Sequence, residues 1–306
     1  MEQVDSDSSA EERPLAIICG GGSLPFAVAD AVRRRGRRVV LFPLHRLADA
    51  GAVALFPHHW LYLGQYGRFR RLARAEGCRD IVLIGNVVRP ALRHLRLDWV
   101  TVLLLPKIVR LFRGGDDHLL SGLARVFEAH QFRVVAAHEL VPDILVRAGP
   151  LGIYRPSSRN LADIECGLAL IAAIGRFDVG QAVVIAGNRV LAIEAADGTD
   201  RMLKHVAALR REGRISLAPG ESVLVKAAKP GQDHRFDLPS IGPDTVDGAA
   251  RAGLAGIAVV AGQTVIAEPE RVAAIADSAG LFVFGVESPN PGGREWLSQP
   301  ISTSSW

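Results

Sequence analysis

Cysteine is nearly absent. The 306 residues hold three, Cys19, Cys78 and Cys166, with no close spacing. That excludes a disulfide framework and a cysteine zinc site, and points to a reducing compartment. Aromatic residues make up only 6% and no nucleic-acid motif accompanies the arginines, which argues against nucleic acid as a partner. No uninterrupted apolar run approaches the ~18–20 residues a membrane span needs. The opening MEQVDSDSSAEE is acidic and polar, so it does not read as a signal peptide. No internal repeat is visible. With 49% hydrophobic and 22% charged residues, disorder over most of the chain is excluded.

Length and charge frame what is present. At about 150 residues per domain, the chain should form two domains. The net charge of +4 hides an asymmetry: residues 1–150 carry +6 and residues 151–306 carry −2. Without the five acids of the first twelve residues, the N-terminal half stands at +11. A basic half suits phosphate-rich or anionic partners such as a nucleotide or a membrane surface.

Short apolar strands alternate with helical periods through the first half. Strands are expected at 15–19, 39–42, 80–84 and 133–137, with helices at 27–35, 68–75 and 118–130. That alternation predicts βαβ units and a mostly parallel, Rossmann-like sheet. The second half predicts another α/β domain with a mixed sheet. Its hairpins are expected at 182–194, around Gly187-Asn188, and at 256–267, around Gly262-Gln263. Residues 155–160 read as a linker. The expected layout is a disordered tail at 1–12, domains at 13–154 and 155–288, and a second disordered tail at 289–306.

Chemistry concentrates at turns. Gly20-Gly-Gly-Ser23 sits between a strand and a helix, where backbone amides can approach a phosphate. A plain tight turn reads equally well. It is neither a GxGxxG fingerprint nor a P-loop, and strand two ends in Phe42-Pro-Leu-His45 with no acid for a ribose. Gly85-Asn-Val-Val-Arg-Pro90 ends another strand. Asp116 or Asp117 caps a helix or contacts a ligand. Gly85-Asn86 is followed by Val87, so the Gly-Asn-His motif of calcineurin-like phosphoesterases fails. Residues 89–113 mix apolar side chains with Arg93, Arg96, Lys107, Arg110 and Arg113, and Pro106 divides them. Such a segment suits either an anionic bilayer or the core. The densest region, residues 226–246, places Lys229, Gln232, Asp233, Arg235 and Asp237 among prolines. Magnesium wants carboxylates and phosphoryl transfer wants cations, and this loop supplies both. Asp200, in Asp197-Gly-Thr-Asp200, is a further carboxylate for a shared metal or a helix-start residue. The scattered histidines read as structural.

Taken together and in order, these motifs carry a resemblance. Gly20–Pro25, Gly85–Pro90, Gly115-Asp-Asp117, Gly175–Val184, Asp197–Asp200, Lys229–Gly242 and Ala252–Ile257 resemble the UDP-2,3-diacylglucosamine pyrophosphatases of lipid A synthesis, the family typical of alphaproteobacteria and other Gram-negative bacteria that lack the calcineurin-like enzyme. The resemblance spans about residues 14–287. It implies magnesium-dependent hydrolysis of UDP-2,3-diacylglucosamine to UMP and 2,3-diacylglucosamine 1-phosphate (lipid X), with water attacking the sugar-side phosphorus and the lipid held between two domains. The family's essential aspartate matches Asp237, which would bind magnesium or orient the water. Asp200 and Asp233 are lesser candidates for the metal. Lys229 and Arg235 would neutralise phosphate oxygens. Gly21, Gly22 and Ser23 would hold phosphate with support from Asn86, while Thr199 and Gln232 would also contact substrate. Ala196 precedes Asp197-Gly-Thr-Asp200 where a tighter Glu-Gly-Thr-Asp is expected, and Glu194 is displaced, which weakens a role for Glu194. The resemblance also implies a peripheral location on the cytoplasmic face of the inner membrane; a homodimer is the default assembly. A hydrolase of another nucleotide sugar and a non-catalytic lipid X binder are the rival readings.

Overall fold

The computed structural model describes residues 13–85, 87, 95–111, 116–177, 179–216, 220–230, 234–235 and 238–287, with backbone alone at 107–111 and 116–121. The tails expected to be disordered lie outside these residues. The chain forms two compact units. One takes Met1–Ile144 with Asp233–Asp237, the other Leu145–Gln232 with Leu238–Trp306. Both are α/β, one on a parallel sheet and one on a mixed sheet.

In the first unit the elements run β1 (Leu15–Cys19), α1 (Leu24–Arg34), β2 (Val39–Pro43), α2 (Tyr66–Ala75), β3 (Asp80–Ile84), α3 (Trp99–Leu111), α4 (Asp116–Glu128) and β4 (Arg133–Val134). The strands are parallel in the order β2-β1-β3-β4. Ala16, Val40, Phe42 and Ile81 pack with Phe69, Phe127 and Phe132 on one face. Leu15, Ile17, Leu41 and Val82, one residue out of phase, are equally buried. By the two-residue strand period they face the other side, which is why these strands read as continuous apolar runs. Beyond β2 the chain at 57–61 adds a further parallel edge, through bridges Leu41↔His58 and Leu44↔Leu61.

Pro106 lies inside α3 and does not divide it; the helix runs through from Trp99 to Leu111. Asp98 sets its start, accepting the Thr101 amide (2.9 Å) and hydroxyl (2.8 Å) on Oδ1. Its other oxygen accepts the Arg68 amide in the first turn of α2 (2.8 Å). One carboxylate thus caps two helices.

At the amino end of the sheet, Asp80 pairs with Arg37 (2.5 Å) and Arg133 (2.8 Å). Burial alone would raise the Asp80 carboxyl, but hydrogen bonds and charge from Arg133 and Arg37 outweigh it and hold it below 3.8. Asp98 is likewise depressed: burial raises it, and bonds from Thr101 and Arg68 more than reverse that. A depressed folded pKa adds stability above the unfolded value, and that stability is lost as pH falls through the folded one. The melting temperature is therefore expected to fall steadily below about pH 4, with a shallower fall in Asp80→Asn. Equal melting temperatures at pH 5 and pH 3 would remove this account.

The second unit runs β5 (Gly149–Pro150), α5 (Ser158–Ile174), β6 (Ala182–Ala186), β7 (Arg189–Ile193), α6 (Thr199–Arg211), β8 (Val223–Lys226), β9 (Ser240–Ile241), α7 (Pro243–Ala252), β10 (Gly256–Val260), β11 (Val265–Ile266), α8 (Pro269–Ala279) and β12 (Phe282–Val286). The sheet order is β5-β12-β10-β8-β6-β7. β12, β10 and β8 are parallel; β5, β6 and β7 join antiparallel. Ile164 and Ile171 of α5 cover one face, with Val183, Val225 and Ala258. Met202, Leu203 and Val206 of α6, with α7 and α8, cover the other.

Two expectations need correction here. Residues 158–160, expected as linker, open α5: the Ser157 and Asn160 side chains form a reciprocal cap. Gly187 and Asn188, both at positive φ, do turn the β6–β7 hairpin. The hairpin expected at 256–267 does not exist: β10 is flanked by β8 and β12, and β11 pairs in parallel with β9 instead.

Candidate functional site

In the first unit the two glycine turns meet at the carboxyl ends of neighbouring strands. β1 and β3 run in register to Cys19↔Ile84, and the Gly20 amide donates to the Ile84 carbonyl at 2.9 Å. Gly85 (φ +102°) lies so close that a Cβ there would meet the Gly21 carbonyl at 2.8 Å. Only glycine suits both the dihedral and the space. Gly22 and Ser23 are exposed immediately ahead of α1, and Ser23 makes no side-chain capping bond. The amides of α1's first turn offer a positive end for a phosphate. Asn86 lies outside the described residues.

In the second unit a buried polar chain links three of the segments singled out in the sequence. Lys226, the last residue of β8, is 5% exposed; Glu194 is 8% exposed. The Lys226 ammonium donates to Thr199 Oγ1 and to the Ser240 carbonyl, each at 3.0 Å. The Thr199 hydroxyl in turn donates to Glu194 Oε1 at 2.6 Å. Glu194 Oε2 accepts the Gln181 amide at 2.8 Å. A hydroxyl therefore bridges a buried cation and a buried anion, and each has hydrogen-bond partners, as burial requires.

This corrects the reading of Glu194. Its displacement does not take its carboxylate away from Thr199, because it carries on the β7 pairing: its amide donates to the Ala182 carbonyl at 2.8 Å. From there its carboxylate reaches Thr199. Lys226 is a residue that motif reading misses, although a lone cation closing the apolar run Val223-Leu-Val225 is a visible signal.

The other expected residues are dispersed. Thr199 is buried at the start of α6 and Asp200 is exposed beside it. Lys229 is partly buried, and its Cβ and Pro230 pack against Gly175 at the end of α5. Arg235 belongs with the first unit, its Nη1 3.3 Å from Glu128 Oε1. Gln232, Asp233 and Asp237 lie outside the described residues. Among the described residues no group of three His, Cys, Asp or Glu side chains is placed to hold a metal. The cysteine thiols are poor nucleophiles: burial pushes Cys19 up to about 12 and Cys78 up to about 11.

Residues 14–144 match the family model described as the LpxI N-terminal domain, and residues 147–284 match that of the LpxI C-terminal domain. The chain belongs to the LpxI family. Among curated LpxI proteins it is similar to the UDP-2,3-diacylglucosamine pyrophosphatase LpxI of Caulobacter vibrioides. The two are 39% identical over 275 residues, covering 90% of this chain and 98% of that protein. The two LpxI models part where the two units part, after Ile144. Both the Gly20–Ser23 turn and the Glu194–Thr199–Lys226 chain fall within the LpxI match.

Proposed function

We propose that this chain hydrolyses the diphosphate of UDP-2,3-diacylglucosamine, releasing UMP and 2,3-diacylglucosamine 1-phosphate in lipid A synthesis. The observation that carries this is the match along nearly the whole length of a pyrophosphatase of that name. Water adds to the sugar-side phosphorus, the bond to the bridging oxygen breaks, and UMP leaves with that oxygen. Amides at Gly20–Ser23, with Asn86, hold phosphate oxygens; Lys229 and Arg235 neutralise others; Thr199 and Gln232 contact substrate. Asp237 orients the attacking water or takes part in metal binding. Glu194 and Lys226 hold the Thr199 hydroxyl in one orientation.

Magnesium takes carboxylate, phosphate and water oxygens. The exposed Asp200 carboxylate fits that donor set, and Asp200, Asp233 and Asp237 would hold the ion. Bound there, it would neutralise charge on the diphosphate.

The test is incubation with UDP-2,3-diacylglucosamine and magnesium, with and without chelator, read by product mass. UMP and the 1-phosphate are expected, with loss of turnover in chelator. Cleavage of UDP-glucose at the same rate would favour a general nucleotide-sugar hydrolase. Retained lipid without UMP would favour a carrier.

A peripheral location on the cytoplasmic face of the inner membrane is part of the same proposal. No helix among the described residues is long and apolar enough to cross a membrane. α3 instead shows water an apolar face: Trp99 is 74% and Leu103 65% exposed, with Val102 and Leu105 also exposed and Leu97 just before them. Contiguous exposed apolar surface of this kind marks an interaction site. Of its expected basic flank, Arg96 is turned toward Tyr62. Arg93 and Arg113 lie outside the described residues, as do the side chains of Lys107 and Arg110. Trp99→Ser with Leu103→Ser is expected to cut co-sedimentation with phosphatidylglycerol vesicles about tenfold. Unchanged sedimentation would count against the assignment.

A further inference from the structure

α5 covers the mixed sheet with one face and leaves the opposite face uncovered. Ile164, Gly167 and Ile171 turn inward, and a Cβ on Gly167 would meet Val225 at 2.7 Å, so the helix lies hard against the sheet. Outward stand Leu161, Ala162, Ala169 and Ala173, all exposed, with Leu168 and Ala172 partly buried beside them. Leu161 shows 42% of its surface. A helix whose outer face meets only water carries polar and charged side chains there. Over the stretch from Leu161 to Arg176 this outer face holds only two charges, Glu165 and Arg176, both exposed.

The spacing of those charges points to what covers the face. Glu165, Ala169, Ala172 and Arg176 recur at intervals of four, three and four residues, which places them on one seam along the helix. From either end the seam reads charge, alanine, alanine, opposite charge. Glu165 and Arg176 stand about 16 Å apart along the axis, too far to pair within one chain. Among the described residues neither joins a salt bridge, whereas Arg159 one turn before Asp163 pairs with Glu221. A second α5 laid antiparallel, with a two-fold axis between Ala169 and Ala172, sets Glu165 opposite Arg176 at both ends. In the middle it sets Ala169 opposite Ala172 twice. Isologous dimers require this kind of self-complementary surface. The alanines let the two helix axes approach to about 8 Å, the close end of helix packing. Leu168 of each copy falls on the same flank of the seam and packs on the other across the axis.

We propose that the outer face of α5 is a dimerisation surface, occupied by a second copy of this chain packed antiparallel through Glu165, Ala169, Ala172 and Arg176. The proposal is independent of the pyrophosphatase reading and uses none of its residues.

The test is sedimentation equilibrium on the full chain at micromolar concentration. Wild type is expected to be a dimer. Glu165→Arg brings cations together at both ends of the seam and is expected to weaken the dimer about tenfold or more; Arg176→Glu brings anions together and should cost a similar factor. Combining the two only reverses each pair, so the double variant is expected to return to within about threefold of wild type. Ala169→Arg puts a good helix former at an exposed position and should yield a folded monomer. A monomeric wild type would overturn the proposal. If that monomer also binds phosphatidylglycerol vesicles and Ala169→Arg abolishes the binding, the face belongs to a bilayer instead. A dimer left intact by Ala169→Arg would overturn the proposal too. Single variants that weaken the dimer without recovery in the double variant would overturn the antiparallel pairing.

Discussion

Lys226→Met is expected to destabilise the second unit by roughly 3–5 kcal/mol, the scale of leaving a buried charge uncompensated and its hydrogen-bonded neighbours without their donor. Methionine matches the length of lysine but leaves Glu194 charged and buried, and it strips the Thr199 hydroxyl and the Ser240 carbonyl of their donor. At roughly 2–4 °C per kcal/mol for a unit of this size, the melting temperature should drop by about 10 °C. Adding Glu194→Gln should recover part of the loss, because the stranded charge is then gone. Melting within about 2 °C of wild type would refute the claim that this chain is held by its buried charges. A loss equal in the single and double variants would place the whole effect on packing.

Asp237→Ala is expected to lower UMP release by about 100-fold or more, the scale of losing a positioned acid–base group, with melting unchanged. The reason lies in the residues just after it in the chain. The Pro239 carbonyl accepts the Val265 amide at 2.8 Å, the Ser240 carbonyl accepts Lys226, and Ile241 is buried in the β9–β11 pair. The Asp-Leu-Pro-Ser-Ile motif is thus anchored from its third residue onward, so its aspartate can be removed without releasing the segment. Near-full UMP release by a folded Asp237→Ala would overturn the assignment, and unfolding would show that Asp237 serves the fold. The two variants separate roles: Lys226 should move stability first, Asp237 turnover alone.

How much can be read in the sequence depends on how local the signal is. Strands such as Leu15–Cys19 and Gly256–Val260 are short apolar runs because they are buried on both faces, and they stand out without any knowledge of their partners. Partners are harder. Gly262-Gln263 looks like a two-residue turn, yet β10 has neighbours on both edges, and sequence spacing carries no record of a free edge. The same limit hides the polar chain. Glu194, Thr199 and Lys226 are joined by burial, and a five-residue offset in a motif says nothing of where a hairpin will carry its carboxylate. The parallel edge at 57–61 is hidden as well, because Pro57 and the pair His58-His59 give those residues little strand character. The glycine turns are legible because their constraint is local: a backbone that must be approached closely allows no side chain at Gly85.

The double cap at Asp98 has a mechanical meaning. It pins the first turn of α3, from which Trp99 and Leu103 project, to the first turn of α2, while Arg96, two residues earlier, presses on Tyr62. A pull on the apolar helix is therefore felt through one carboxylate at the Arg96–Tyr62 contact, two residues away. If α3 docks on a bilayer as proposed, the load would reach the α2 start and the Arg96–Tyr62 contact together.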